Sequence, residues 1–252
     1  MLHIKNLNKH FGGIKAVKDC SFEVKENEIV ALIGPNGAGK TTVFNLLTGF
    51  IKPDKGHVHY KGTPLLGVKP YKISNLGITR TFQLIKLLPK LTLVENLLIA
   101  KQQSGEHLLN IMFKPKYIKH EEKENRNHCV ELLDLVGLKD KRNHYAKNLS
   151  YGQQKLVEIA RILATDADLL LLDEPVAGVN PVMRAKIKNI LKKLKEQGKT
   201  ILFIEHDMKF VMDIADRVVV LDYGTEIATG TPKQIQKNPR VLQAYLGKKV
   251  KL

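Results

Sequence analysis

Residues 29–41 run Ile-Val-Ala-Leu-Ile-Gly-Pro-Asn-Gly-Ala-Gly-Lys-Thr, and this stretch decides the fold. The apolar run Ile29–Ile33 is typical of a strand buried in a parallel sheet. Gly34–Thr41 matches the pattern G-x-x-x-x-G-K-[ST], whose glycines let backbone N–H groups approach phosphate oxygens at the start of a helix. We therefore predict a nucleoside triphosphate site in which Lys40 reaches the β- and γ-phosphates and the Thr41 hydroxyl ligates Mg²⁺.

Further apolar runs predict the rest of an α/β core. Leu169–Leu172, Ile201–Ile204 and Val218–Leu221 have the composition of buried strands, and helical patterns lie between them. Such alternation favours a parallel sheet flanked by helices. Around the turn pair Gly12-Gly13, the N-terminal residues alternate between apolar and polar. This alternation predicts an N-terminal antiparallel β region.

A segment of different character interrupts this core. Leu84–Ala100 is apolar-rich with a mostly helical period, although Pro89 interrupts it, and Val130–Leu138 is helical again. The residues between them are highly charged, which is typical of a solvated face. We predict an inserted, mostly helical subdomain at about residues 84–155.

The composition limits the class of protein without naming a partner. Lys and Arg number 41 against 25 Asp and Glu, so the formal net charge is +16. This excess is typical either of a protein with a polyanionic partner or of a Lys-rich solvated surface. Cys20 and Cys129 show no paired spacing, which favours a reducing compartment. No apolar run reaches the roughly 18 residues that span a bilayer. We therefore expect a soluble protein that could serve a membrane only as a peripheral subunit.

Carboxylates and a histidine follow two of the predicted strands. Asp173 and Glu174 come directly after the four-leucine strand, where Asp173 is placed to hold Mg²⁺, through water, and Glu174 to act as a general base on the attacking water. His206 follows the next strand and is placed to contact a γ-phosphate. Gln83 is a weaker candidate for contact with Mg²⁺ or the water, because a glutamine at this position could equally be an ordinary surface residue.

The segment Leu149–Gln153 allows two interpretations that are compatible with each other. Ser150 and Gln153 form the pattern S-x-x-Q, a capping box that begins a helix. A capped helix N-terminus beside Gly152 is also a site for an anion.

Taken together, these motifs resemble those of the ATP-binding subunit of ABC transporters. Gly34–Thr41 resembles the Walker A loop, and Leu169–Glu174 resembles Walker B with the catalytic glutamate. Leu149–Gln153 resembles the LSGGQ motif, with Tyr151 in place of the first glycine. Gln83 matches the Q-loop, and His206 matches the switch histidine.

This resemblance implies an architecture and a set of site residues. The fold would be a RecA-like P-loop NTPase core with an inserted helical subdomain, forming one ABC ATPase domain over residues 1–252. Two subunits would sandwich two ATP molecules head to tail, so that Ser150 and Gly152 contact the ATP bound to the other subunit. The implied catalytic residues are Glu174, His206 and Gln83, and the implied metal contacts are Thr41, Gln83 and Asp173. The implied nucleotide contacts are Phe11, which would stack on adenine, and Gly34, Pro35, Asn36, Gly37, Ala38, Gly39, Lys40, Thr41, Thr42, Ser150, Gly152 and Gln153.

Within this family, several segments resemble the importers of branched-chain amino acids. They are Phe11–Gly13, Asn45–Phe50, Glu174–Pro181 and Ile204–Met208. Asn180 stands where the general family has Asp, and the importer subgroup carries Asn there. The resemblance implies an ATPase on the cytoplasmic face of the cell membrane, paired with itself or with a paralogue and bound to permease subunits. It implies no direct contact with the solute.

Two alternatives stay open at this point. ATPases for urea import or lipopolysaccharide export share much of the same pattern. A soluble ABC ATPase acting on nucleic acid would suit the positive charge. Such proteins carry a long coiled coil between the Walker motifs, whereas the insertion here is too short and lacks heptads. We therefore expect no nucleic acid partner.

Overall fold

The computed structural model describes residues 1–101 and 115–246, the side chains of 115–119 and 246 excepted. It contains two compact units. The first comprises Met1–Arg80, Asp168–Ala177 and Leu191–Leu252, and the second comprises Thr81–Ala167 and Gly178–Ile190. The charged residues 102–114 of the predicted insertion lie outside the described residues. The bounds 84–155 of the helical subdomain stay a prediction.

Strands and helices alternate along most of the first unit. The strands are β1 Leu2–Phe11, β2 Ile14–Val24, β3 Ile29–Ile33, β4 Lys55–Tyr60, β5 Thr63–Pro64, β6 Ile78–Arg80, β7 Leu169–Asp173, β8 Thr200–Ile204, β9 Arg217–Asp222 and β10 Thr225–Gly230. The α-helices of both units, within the described ranges, are α1 Lys40–Leu47, α2 Pro70–Asn75, α3 Leu93–Leu98, α4 Pro115–Leu135, α5 Tyr151–Leu163, α6 Pro181–Glu196, α7 Met208–Ile214, α8 Pro232–Gln236 and α9 Pro239–Leu246.

The main sheet of the first unit places β3 between β9 and β8. Its strand order is β10-β9-β3-β8-β7-β6. Every neighbouring pair is parallel except β10 with β9. Every residue of β3, β7 and β8 is buried, as expected for parallel strands covered on both faces. The predicted α/β core is confirmed, and the carboxyl ends of these three strands lie at one edge of the sheet, where ligands bind in such folds.

A second, antiparallel sheet forms from the N-terminal part of the chain, in the order β2-β1-β4-β5. Along β1, Leu2 and Ile4 are buried whereas His3 and Lys5 are exposed. This period of two is the alternation expected when one face of a sheet packs on the core. The predicted N-terminal antiparallel region is confirmed.

The helix after the glycine loop begins earlier than its apolar pattern predicts. The pattern places its start at Thr42, whereas α1 begins at Lys40. Gly39 stands at the N-cap with φ 94°, a left-handed conformation that glycine adopts without strain. The first helical turn therefore contains both Lys40 and Thr41.

The second unit corrects one prediction. Leu84–Ala100 was expected to be mostly helical, but only α3 forms within it, begun by a capping box between Thr92 and Glu95. The preceding backbone is held in an irregular path by buried side chains. Glu158 accepts a hydrogen bond from the Lys86 N–H at 2.9 Å. The Asn96 side-chain amide contacts both the N–H and the carbonyl of Leu88. The helical prediction was wrong here because side chains, not a helical ladder, satisfy these backbone groups.

Candidate functional site

The loop Gly34–Gly39 requires glycine at two points for different contacts. Gly34 has φ 151°, and a Cβ atom there would lie 2.1 Å from the carbonyl oxygen of Leu221. At Gly39, a Cβ atom would lie 2.3 Å from the carbonyl oxygen of Ala16. Neither backbone carbonyl can give way cheaply. The loop is therefore seated tightly against β9 and β2, and these contacts restrict its path.

Lys40 links this loop to the acidic end of β7. Its Nζ atom donates to the carbonyl oxygens of Gly34 at 2.8 Å and Pro35 at 2.9 Å, and the residue is only 6% exposed. Burial lowers the pKa of Lys40, and the negative charges of Glu174 and Asp173 oppose that shift. The structure thus brings the predicted phosphate-binding amine and the two predicted carboxylates into one electrostatic environment.

Asp173, the last residue of β7, has a partner that sequence reasoning missed. Its Oδ2 atom accepts a hydrogen bond from Arg80 at 2.8 Å, and both side chains are buried. Arg80 also donates to Asn45 Oδ1 at 2.6 Å. Because Arg80 lies 93 residues from Asp173 in sequence, only the adjacency of β6 and β7 in the sheet reveals the pair.

The oxygen donors suit Mg²⁺, but they do not form a complete cage. A carboxylate at Asp173 and a hydroxyl at Thr41 are hard ligands of the kind that Mg²⁺ prefers. Among the described residues, no group of three or more His, Cys, Asp or Glu side chains could hold a metal ion. Mg²⁺ is commonly bound by one or two protein oxygens together with substrate phosphates and water, and Thr41 and Asp173 could supply those protein oxygens.

Glu174 and His206 lie together at the ends of neighbouring strands. Glu174 Oε1 is 3.2 Å from His206 Nε2, with side-chain exposures of 17% and 44%. Glu174 has φ 51°, a left-handed conformation that is costly for a residue with a side chain. Its N–H donates to the carbonyl oxygen of Ile204 at 3.0 Å. The turn after β7 is therefore fastened to the end of β8, and this positions Glu174 against His206.

Glu205 is a second residue that sequence reasoning did not assign. It is 3% exposed, and its carboxylate accepts hydrogen bonds from the backbone N–H groups of Val176 at 2.8 Å and His206 at 3.1 Å. Burial raises the pKa of Glu205, although these backbone donors oppose the rise. One buried carboxylate thus connects the loop after β7 to the loop after β8. A glutamate directly before a predicted site histidine was the available signal.

In the second unit, Ser150 is confirmed as the N-cap of α5. Its Oγ atom accepts from the Gln153 N–H at 3.4 Å, and Gln153 Oε1 accepts from the Ser150 N–H at 3.2 Å. The reciprocal bonds leave Ser150 exposed at the end of the helix, where the helix dipole favours an anion.

Tyr151 and Gly152 contact the segment that leads into α6. A Cβ atom at Gly178, where φ is +72°, would lie 3.1 Å from the Tyr151 ring. A Cβ atom at Gly152 would lie 3.0 Å from the Met183 side chain. Asn180 Oδ1 accepts from the Met183 N–H at 2.8 Å, a bond that Asp would make equally well. Tyr151 therefore occupies space that a glycine would leave open.

Gln83 and Phe11 are placed on the surfaces of their own units. Gln83 is exposed in the irregular segment after β6. Phe11 ends β1 and is 45% exposed, with Lys9 Nζ 5.5 Å from its ring centroid. Their predicted contacts with Mg²⁺ and adenine stay predictions. The first unit brings Lys40, Asp173, Glu174 and His206 together, and the second contains Gln83, Ser150, Gly152 and Gln153.

Comparison with known proteins identifies this class of site. Residues 17–177 match the family model described as ABC transporter, and the chain belongs to this family as an ATP-hydrolysing subunit. Residues 226–251 match a second model, described as branched-chain amino acid ATP-binding cassette transporter. The chain therefore falls within the branched-chain amino acid group of these cassettes.

Curated relatives match this chain over nearly its whole length. It is 43% identical to the high-affinity branched-chain amino acid transport ATP-binding protein LivG of Salmonella typhimurium, over 98% of each chain. The same values hold for the corresponding protein BraF of Pseudomonas aeruginosa. The probable LivG of Archaeoglobus fulgidus is 40% identical over 98% of this chain and 95% of its own.

Solved structures confirm the fold. A nucleotide-free ATP-binding cassette from an ABC transporter superposes with a TM-score of 0.86 at 36% identity, covering 98% of this chain and 99% of its own. A dimeric bacterial ABC transporter cassette superposes with a TM-score of 0.76 at 30% identity, covering 92% and 99%.

Proposed function

We propose that this chain hydrolyses ATP with Mg²⁺ to power the import of branched-chain amino acids through partner permease subunits. One observation carries the catalytic part, namely that Lys40 shares its environment with Asp173 and Glu174. The solute is inferred from the relatives, which are named as branched-chain amino acid transport proteins and align with 98% of this chain.

In this proposal, the residues of the first unit divide the chemistry between them. Lys40 and the loop N–H groups bind the phosphates. Bound Mg²⁺, held by Thr41 and Asp173, would neutralise charge on the β- and γ-phosphates. Glu174 takes a proton from water as the water oxygen bonds to the γ-phosphorus, and the bond from that phosphorus to the bridging oxygen of ADP breaks. His206 holds the Glu174 carboxylate in place, and Gln83 is a further candidate contact to the water.

The proposed active form is a dimer, either of this chain or with a paralogue. Ser150 is exposed and its helix N-terminus favours an anion. The phosphate-binding loop Gly34–Thr41 of the same chain belongs to the other compact unit. In the dimer, the γ-phosphate of the ATP bound to the second subunit would be the anion that faces Ser150. The solved dimeric cassette with a TM-score of 0.76 supports this arrangement.

The permease partner would bind near Gln83 in the second unit. The neighbouring Leu84 is 80% exposed and Leu88 is 45% exposed. Exposed leucines beside a functional loop are suited to contact with another protein. Within the described ranges, no helix is both long enough and apolar enough to cross a bilayer. In this proposal, binding to the permease holds the chain at the cytoplasmic face of the membrane.

Uptake of labelled leucine tests the whole proposal. Cells lacking this chain are complemented with the wild type, with Glu174→Gln or with the matched control Glu196→Gln, an exposed glutamate at the end of α6. We expect leucine uptake with the wild type and the control, and none with Glu174→Gln. Membranes from the complemented cells should yield this chain together with its permease.

Two results would contradict the proposal in different ways. Cells that lack the chain could keep their leucine uptake and lose urea uptake or lipopolysaccharide export. That result would overturn the assignment of branched-chain amino acids as the solute and leave the ATPase assignment intact. Leucine uptake by the Glu174→Gln variant at the rate of the wild type would overturn the assignment of the general base.

A further inference from the structure

In the second unit, two side chains of α5 hold the backbone of a single residue, Lys86. Glu158 Oε1 accepts from the Lys86 N–H at 2.9 Å, and Arg161 Nη1 donates to the Lys86 carbonyl oxygen at 2.8 Å. The two side chains also pair with each other, since Arg161 Nη2 lies 3.6 Å from Glu158 Oε1. Both polar groups of the Lys86 backbone are therefore bound to one turn of α5. We call these three residues the Lys86 clamp.

The Lys86 clamp is largely withdrawn from water. The side chain of Glu158 is 2% exposed, and that of Arg161 is 21% exposed. Burial raises the pKa of Glu158, and the hydrogen bond from Lys86 and the charge of Arg161 oppose that rise. A buried carboxylate that lost these partners would be left uncompensated, which is costly. We therefore expect Lys86 to follow α5 when the helix moves.

The Lys86 clamp joins two segments that have separate roles in the proposed function. Glu158 follows the cap Ser150 by about two turns of α5, roughly 12 Å along the helix axis. Lys86 belongs to the irregular segment that also contains Gln83 and the exposed Leu84. Because a helix is a rigid element, a displacement at its cap reaches Glu158 and Arg161 with little loss.

We propose that Glu158 and Arg161 are positioning residues that make the segment Gln83–Leu88 follow the movements of α5. The assignment rests on the proposed dimer, in which ATP on the second subunit faces Ser150 and displaces α5 when it binds. It adds the path by which bound nucleotide alters the surface offered to the permease. Neither side chain needs to touch the nucleotide, since both act through the backbone of Lys86.

A fluorescent probe on Leu84→Cys reports on the position of this segment without reference to any solute. Leu84 is 80% exposed, whereas the two native cysteines, Cys20 and Cys129, are buried, so labelling is directed to position 84. The full chain also carries Glu174→Gln, which should slow hydrolysis and keep the dimer loaded with ATP. Probe emission and sizing chromatography are recorded with and without ATP and Mg²⁺.

Three variants of this labelled chain separate the clamp from other effects. Arg161→Met keeps the aliphatic stem and removes the donor to the Lys86 carbonyl. Glu158→Leu combined with Arg161→Met removes both contacts and leaves no unpaired buried charge. Arg142→Met is the matched control, because the exposed Arg142 donates to the carbonyl oxygen of Lys139 in its own turn, at 3.4 Å. Melting temperatures without nucleotide show which variants are folded.

We expect ATP to change the probe emission of the parent chain and of Arg142→Met equally. Arg161→Met should lose part of that change, and the double variant should lose most of it, while both still form the dimer with ATP. Should the double variant fail to fold, Arg161→Met against Arg142→Met decides the outcome.

Three results would overturn the assignment of the Lys86 clamp while the dimer stands. They are a parent dimer whose emission does not respond to ATP, a response in the Arg161 variants equal to that of the parent, and an equal loss in Arg142→Met. A parent chain that stays monomeric with ATP would instead contradict the proposed dimer, and the clamp would fall with it because no nucleotide would then act on α5.

Discussion

Replacing Glu174 with glutamine isolates the charge of the proposed general base from its position. The glutamine side chain has the same length and can still hydrogen-bond to His206, which lies 3.2 Å from Glu174 Oε1. The backbone bond from the Glu174 N–H to Ile204 is unaffected. The free energy of unfolding should therefore change by about 1 kcal/mol or less. The variant stays folded, and its activity reports on chemistry.

The expected loss of activity follows from the loss of proton transfer. General-base catalysis contributes about 10²- to 10⁴-fold, which corresponds to roughly 3 to 5 kcal/mol of activation free energy. Binding of ATP should be at least as tight as in the wild type. Lys40 keeps its bonds to Gly34 and Pro35, and a negative charge near the phosphates is removed.

Phosphate release and sizing chromatography measure the two consequences. With ATP and Mg²⁺, Glu174→Gln should release phosphate at least about 100-fold more slowly than the wild type and should elute as a dimer. Glu196→Gln should match the wild type in both assays. A Glu174→Gln variant that turns over ATP within a factor of about 10 of the wild type, or that stays monomeric with ATP, would refute the assignment of Glu174.

The remaining predictions concern the cap of α5 and the buried glutamate. Ser150→Arg should abolish ATP hydrolysis while ADP affinity stays at the wild-type value, because Ser150 acts on the nucleotide of the other subunit; calorimetry showing lost ADP binding would count against this role. The pKa of Glu205 is raised in the folded state, so the wild type loses stability as this carboxyl group ionises above about pH 4.5. The melting temperature of Glu205→Gln should therefore rise relative to that of the wild type as the pH increases above that value. A difference in melting temperature that does not vary with pH would contradict the raised pKa. Tyr151→Gly should lower the free energy of unfolding by about 0.5 kcal/mol or more, as measured by denaturant titration, because glycine has a lower helix propensity than tyrosine and the ring contact with Gly178 is lost; an unchanged midpoint would contradict a stabilising role for Tyr151.

The sequence predicted the residues whose function depends on fixed local spacing. The glycine loop, the carboxylates after β7 and the capping box at Ser150 each lie within a few residues of the element that positions them. Arg80 and the bond between Glu205 and Val176 were not predicted, because these partners become neighbours only through the order of strands in the sheet. Arg80 lies 93 residues from Asp173, and Glu205 lies 29 residues from Val176.

The helical prediction for Leu84–Ala100 failed for a related reason. Its apolar residues follow a helical period, but Pro89 lacks an N–H donor, and side chains bind the backbone on either side of Pro89, with Asn96 donating to the Leu91 carbonyl oxygen. Glu158, 72 residues away, accepts from Lys86. The exposed Leu84, 80% accessible, contributes no buried face to stabilise a helix.

The contact between Tyr151 and Gly178 constrains how this protein could have evolved. Any side chain at position 178 would meet the Tyr151 ring at 3.1 Å and would also adopt a backbone conformation with φ +72°. Glycine at position 178 is therefore favoured for two separate reasons: the positive φ strains any side chain whatever the space, and a Cβ atom would fit only if the Tyr151 ring moved by a few tenths of an ångström. A smaller residue at position 151 would remove the second reason and leave the first, so glycine would stay favoured at position 178 even in a lineage that had lost the tyrosine.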